Sequence, residues 1–159
     1  MKDSVAIVTG AGRGIGKAIA LALAKEGAHV AVAARTKQEI DTLAKEIEHM
    51  GGKALAVQAD VSRETDVDTL VARTVEKFGT VNILINNAGI GSFANVGQLA
   101  VNDFDRMWEV NLRGAFLCSR GVIPYMVQQE SGDIINISSL AGRNAFIGGA
   151  GYCSTKWGL

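Results

Sequence analysis

The junction at residues 5–16 constrains the fold more than any other stretch of the chain. Val5-Ala6-Ile7-Val8-Thr9 is short, apolar up to its last residue and stopped by glycine, the pattern of a strand buried on both faces. It runs directly into Gly10, Gly12, Gly14 and Gly16. From residue 14 to 26, Ile15, Ile19, Ala20, Leu23 and Ala24 then recur at helical spacing. A buried strand that turns at once into an amphipathic helix is half of a strand–helix–strand unit, and the unit recurs. Residues 30–34 predict a second strand, and 38–50 a second helix with Ile40, Leu43, Ala44 and Ile47 inward. Residues 54–59 predict a third strand, 66–78 a third helix and 81–85 a fourth strand. A glycine-containing loop spans 86–97. Helical spacing then covers 101–129, in two pieces that divide near Asn111. Residues 134–137 read as a fifth strand, and a further helix opens at Tyr152. Strands that alternate with helices and lack a polar face imply a parallel sheet covered on both sides. With right-handed crossovers this is a doubly wound α/β fold.

Composition narrows the partners. The 159 residues fit one domain. Lys plus Arg and Asp plus Glu are equal at 16 each, with no basic run, which argues against a nucleic-acid partner. The first apolar run is too short for a secretory leader or a membrane span, so no membrane is expected and the cytoplasm is the expected location. Cys118 and Cys153 lie far apart without metal-ligand spacing, and two reduced thiols are expected. His29 and His49 read as surface residues, and no metal site is expected.

Glycines after a first strand let the backbone turn sharply, approach a pyrophosphate and pack the next helix on the sheet. The helix start adds free N–H groups and the positive end of a dipole. The spacing Gly10, Gly14, Gly16 is not the commonest dinucleotide pattern, and a purely structural turn is the plainer alternative. The second strand ends Ala33-Ala34-Arg35-Thr36, where an NAD site usually carries an acid for the ribose 2′-hydroxyl; the next acid is Glu39. Arg35, with Arg13 in the turn, can instead neutralise a 2′-phosphate. This pattern favours NADP(H) over NAD(H), against the alternative of two solvated surface arginines.

Tyr152 and Lys156 are four apart and share a helix face. They follow the fifth strand, at the carboxyl edge where parallel sheets bind ligands. A free tyrosine titrates near 10 and is a poor base at neutrality. An ammonium about 4 Å away favours the phenolate by roughly 4 kcal/mol at an effective dielectric near 20. Such a tyrosine can exchange the proton that accompanies hydride transfer. Ser138-Ser139 closes the fifth strand, where a hydroxyl can hold a substrate oxygen. Asn111 lies in an apolar helical stretch; it either joins this site or bonds a neighbouring carbonyl and marks a kink. The loops 91–98 and 142–151 place Phe93 and Phe146 as apolar pocket walls or as plain core.

Together these motifs resemble the short-chain dehydrogenase/reductase family, and within it the bacterial 3-oxoacyl-(acyl-carrier-protein) reductases. Thr9-Gly10 with Gly14 and Gly16 matches the family's cofactor turn, Asp60-Val61 the pair beside the adenine, and Asn86-Asn87-Ala88-Gly89 the end of the fourth strand. Asn111, Ser139, Tyr152 and Lys156 match its catalytic four; Ser139 is preferred to Ser138 because it stands thirteen residues before Tyr152. The resemblance implies a Rossmann fold that binds NADP(H) through Gly10, Arg13, Gly14, Ile15, Gly16 and Arg35, through Asp60 and Val61, through Asn87, Ala88 and Gly89, and through Tyr152 and Lys156. It makes Tyr152 the acid/base and gives Lys156 the nicotinamide ribose and the tuning of that tyrosine. Ser139 orients the substrate oxygen, and Asn111 positions a water that links Lys156 to solvent. The implied substrate is a carbonyl or alcohol, including an acyl chain on a carrier, and the implied assembly a homo-oligomer, tetramer or dimer. Family members continue well past the Tyr/Lys helix, whereas this sequence ends at Leu159. A single dinucleotide-binding domain over 1–159, incomplete after the fifth strand, is therefore expected, with that strand as an exposed edge and the last residues frayed. The competing reading is a nucleotide-binding module without turnover.

Overall fold

The computed structural model describes residues 1–159. Five parallel strands form one sheet in the order β3-β2-β1-β4-β5: β1 Val5–Thr9, β2 His29–Ala34, β3 Lys53–Gln58, β4 Ile83–Asn86 and β5 Asp133–Asn136. Helices α1 (Gly14–Lys25), α2 (Lys37–His49) and α3 (Glu64–Phe78) connect the first four strands. Between β4 and β5 come α4 (Val101–Trp108), a π-helical turn (Glu109–Arg113) and α5 (Gly114–Gln128). A short 3-10 turn (Leu140–Gly142) and α6 (Ala150–Gly158) follow β5. The order reverses between β1 and β4, which opens a crevice at their carboxyl ends.

The period-2 alternation of the strands builds two cores. Ala6 and Val8 of β1, with Val30 and Val32 of β2, pack under α1 and α2 against Leu23, Ile40, Leu43 and Ile47. Ile7, with Ala31 and Ala33, faces the other way into α3 and α5, against Leu70, Leu117 and Val122. Both faces of the central strands are dry, which is why β1 reads as an unbroken apolar run. Each fully buried Ile or Leu here contributes about 1.5–3 kcal/mol.

Element ends shift from the sequence expectation by at most two residues, and register with neighbouring strands explains the shift at β2. It begins at His29 because His29 pairs with Val5 and its amide donates to the Ser4 carbonyl at 2.8 Å. His29 is therefore not a free surface residue: its half-buried ring stacks on Phe78 with centroids 5.4 Å apart. β5 is the sheet edge and every residue of it is exposed. The expected fraying after Lys156 does not occur. α6 runs to Gly158, the Leu159 amide donates to the Thr155 carbonyl at 3.0 Å, and Lys156 is only 5% exposed. The reason is packing: Gly158 lies against Leu112, and Ser138 Oγ donates to the Lys156 carbonyl at 2.9 Å. No helix is long and apolar enough to cross a membrane.

Candidate active site

The glycine turn and the end of β4 are stapled together. Gly10 has φ +63°, and a Cβ there would fall 2.8 Å from the Ala88 Cα. A Cβ on Gly16 would collide with the Gly10 carbonyl and the Asn87 amide group. Asn87 Nδ2 donates to the carbonyls of Thr9 (2.9 Å) and Gly10 (3.1 Å). Thr9 Oγ1 accepts from the amides of Asn87 and Ala88, each at 3.1 Å, and donates to the Ile85 carbonyl at 3.2 Å. Thr9 entered the sequence reading only as the start of the cofactor turn; its hydroxyl's role in tying that turn to the end of β4 did not.

Over this staple lies a cleft of about 530 Å³. The turn itself forms one wall, with Gly10, Arg13, Gly14, Ile15 and Gly16. The ends of β2 and β3 add Arg35, Asp60 and Val61, and the end of β4 adds Asn87, Ala88 and Gly89. At Gly14 the backbone is left-handed, φ +56°, and a Cβ would meet nothing within 4 Å, so the start of α1 faces open space. Its first amides have no partner within the helix.

A second hollow adjoins the first; Ile15, Asn87, Gly89 and Ile90 line both. It holds Tyr152 and Lys156. Lys156 Nζ lies 5.8 Å from the Tyr152 ring centroid and donates to the Ile137 carbonyl at 2.9 Å. The buried ammonium takes a carbonyl as its nearest partner, and burial lowers its pKa below the ordinary lysine value. Phe93 is 60% exposed and Phe146 49%, so neither is core. Phe93 meets Tyr152 edge-on at 5.5 Å and Phe146 at 5.9 Å, which makes the pair an apolar wall beside the tyrosine.

Asn111 is buried at 1% exposure, inside the π-helical turn. Such a turn inserts one residue into a helix and re-aims a side chain. Here it sends the Asn111 amide across to Ile90 and Thr155. Oδ1 accepts the Ile90 amide at 2.8 Å, and Nδ2 donates to the Ile90 carbonyl at 2.8 Å and to Thr155 Oγ1 at 3.0 Å. Both amide hydrogens are thus taken by the chain, and Oδ1 keeps one lone pair for a water. Ser138 and Ser139 separate by hydrogen bonding. Ser138 Oγ donates its hydrogen to the Lys156 carbonyl. Ser139 Oγ accepts the Ala141 amide at 3.1 Å, and its own hydrogen is free.

Comparison with known proteins decides the family. A family model described as short chain dehydrogenase matches residues 4–159. The chain belongs to the short-chain dehydrogenase family. It is 44% identical over 156 residues to a 3-oxoacyl-(acyl-carrier-protein) reductase of Synechocystis sp., covering 98% of this chain and 63% of the relative. It is 36% identical over 159 residues to the reductase of the same description from Thermotoga maritima, covering 100% of this chain and 65% of that one. The chain thus spans about two thirds or slightly less of these curated relatives. Among solved structures it resembles a metagenomic short-chain oxidoreductase in complex with NADP, with TM-score 0.95, 38% identity and coverage of 99% and 72% of the two chains. It also resembles an alcohol dehydrogenase of Thermococcus sibiricus complexed with 5-hydroxy-NADP, with TM-score 0.94, 33% identity and coverage of 98% and 66%.

Within this short-chain dehydrogenase, the carboxylate of Asp60 is already engaged. Oδ1 accepts the Ser62 amide (3.1 Å) and hydroxyl (2.7 Å), and Oδ2 the Arg106 guanidinium (2.5 Å). Burial pushes the Asp60 carboxyl up, but the Ser62 and Arg106 hydrogen bonds outweigh it and leave its pKa below the ordinary value. Arg106 also donates to Ser62 Oγ and to Glu109, so α4 holds the β3–α3 loop that walls the cleft. No spacing in the sequence joins Arg106 to a partner 46 residues away. The residues fit a dinucleotide with a 2′-phosphate: Arg13 and Arg35 line the cleft, and neither pairs with a carboxylate of the chain.

Proposed function

We infer that this chain binds NADP(H) along the cleft and serves the reversible transfer of a hydride between the nicotinamide and a carbonyl or alcohol carbon. Reduction of a keto group such as that of a 3-oxoacyl thioester is the favoured direction and substrate class. The observation that carries this reading is the continuity of the glycine-turn cleft with the hollow holding Tyr152 and Lys156. The names of the curated relatives support the acyl substrate, and the NADP complexes support the cofactor.

Bound there, NADPH supplies the hydride. Tyr152 donates its hydroxyl proton to the substrate oxygen as the new C–H bond forms. Lys156 would stabilise the negative charge left on the tyrosine oxygen and would hold the nicotinamide ribose of a bound cofactor. The free hydrogen of Ser139 fits a bond to the same substrate oxygen, while Ser138 anchors α6. Asn111 fixes the loop at Ile90 and offers its remaining lone pair to a water beside Lys156. Phe93 and Phe146 shield the reacting carbon from water. A homo-oligomer belongs to the same reading, supported by exposed Trp108, Phe116 and Ile123 on α4 and α5. A cytoplasmic setting is supported by the free, buried thiols of Cys118, whose pKa burial pushes up to about 12, and Cys153.

Fluorescence titration of the chain with NADPH and NADH tests the cofactor assignment. NADPH is expected to bind about tenfold tighter, because a charge-assisted phosphate contact contributes about 1.5–3 kcal/mol. Arg35→Ala is expected to remove most of that preference. Tighter binding of NADH than NADPH contradicts the reading.

A further inference from the structure

Glu39 belongs to the first turn of α2, yet it lines the cofactor cleft. Its side chain lies across the glycine turn. A Cβ on Gly12 would fall 3.0 Å from the Glu39 Cβ and 3.3 Å from its Cδ, and would collide with Oε2. The carboxylate is therefore pressed against the same turn that carries Arg13, and Arg35 lines the same space. It forms no ion pair with any Lys or Arg of the chain. Arg13, Arg35 and Glu39 thus line the same cleft without an ion-pair partner in the chain, whereas its other acid, Asp60, is paired with Arg106.

We propose that Glu39 is a specificity-determining residue that opposes the 2′-phosphate of NADP(H) and so holds the preference for NADPH over NADH below what Arg13 and Arg35 alone would give. The inference rests on the NADP(H) reading above. A phosphate monoester carries close to two negative charges at neutral pH. A carboxylate in the same cleft repels it, and salt screens that repulsion over about 8–10 Å. NADH has only a hydroxyl at this position, so the repulsion is absent. Glu39 also sits at a helix N-terminus, where an acid favours the dipole. That role alone predicts a small loss of stability on substitution and no gain in affinity, so a gain separates the two.

The test is calorimetric titration of the parent chain, Glu39→Gln and Glu39→Ala with four probes: NADPH, NADH, 2′,5′-ADP and 5′-AMP. Both variants are expected to bind NADPH and 2′,5′-ADP about fivefold tighter than the parent. NADH and 5′-AMP should stay within about twofold, and the gain should shrink in high salt. Thermal melting of each variant verifies that it is folded. Unchanged or weaker NADPH binding, or an equal gain for NADH, overturns the proposal. If the parent binds NADPH and the variants bind it no tighter, only the role of Glu39 falls. If the parent binds neither dinucleotide, the NADP(H) reading falls and the proposal with it.

Discussion

Replacing Tyr152 by phenylalanine is expected to lower kcat for NADPH-dependent carbonyl reduction about a thousandfold, while the Kd for NADPH stays within about twofold. The size follows from the general-acid role, since removing a positioned proton donor costs roughly 10²–10⁴ in rate. The selectivity follows from the structure. The ring packs edge-on against Phe93 and stays there in the variant, and the Tyr152 side chain makes no hydrogen bond within the chain that its loss would leave unpaired. Steady-state kinetics on a 3-oxoacyl thioester, beside a fluorescence titration of NADPH, reads both quantities. A kcat within tenfold of the parent would remove Tyr152 from the chemistry. A parallel loss of cofactor binding would make it a binding residue.

Asn111→Ala is expected to cost the fold about 3 kcal/mol or more. Three hydrogen bonds are lost at once: those to the half-buried Ile90 amide and carbonyl, and that to the buried Thr155 Oγ1, which keeps its own bond to the Tyr152 carbonyl. Each buried group left unpaired costs about 1–3 kcal/mol. For a chain of this size the melting temperature should fall by roughly 10 °C. Thr155→Val removes one of the three bonds, together with the Thr155 hydroxyl's bond to the Tyr152 carbonyl, and serves as the comparison, with a smaller fall. Urea denaturation of the parent and both variants measures the differences. A loss under about 1 kcal/mol for Asn111→Ala would show that water replaces the amide without cost, and that the π-helical turn does not depend on it.

The parts of this fold legible in the sequence are those encoded by local period. β1, the glycine turn and α1 follow from a five-residue apolar run and helical spacing after it. The break near Asn111 was visible as a polar residue in an apolar stretch. Its π-helical form was not, because Ile90 and Thr155, the partners of Asn111, lie far along the chain and leave no local pattern. Arg35 and Arg13 were readable from their place after β2 and in the turn. The tie between Arg106 and Asp60 was not, since an ion pair between α4 and the β3–α3 loop leaves no periodic trace. Spacing pointed to Ser139 over Ser138; in the structure it is Ser138 that lines the hollow and donates to the α6 backbone, whereas Ser139 keeps a free hydroxyl hydrogen but is not part of that lining. The exposed edge at β5 was expected from the family resemblance, and Phe93 was offered as a pocket wall or as core; only its edge-on contact with Tyr152 needed the loop path, which one-dimensional patterns do not carry.

The most direct measurement follows the hydride itself. NADPH deuterated at the transferring position of the nicotinamide C4 is incubated with the protein and a 3-oxoacyl thioester, and the product is read by mass spectrometry. Hydride transfer beside Tyr152 and Lys156 predicts one deuterium on the former keto carbon for each NADPH oxidised. NADPH consumed with no deuterium on that carbon, or NADPH bound and never oxidised by any carbonyl offered, contradicts it.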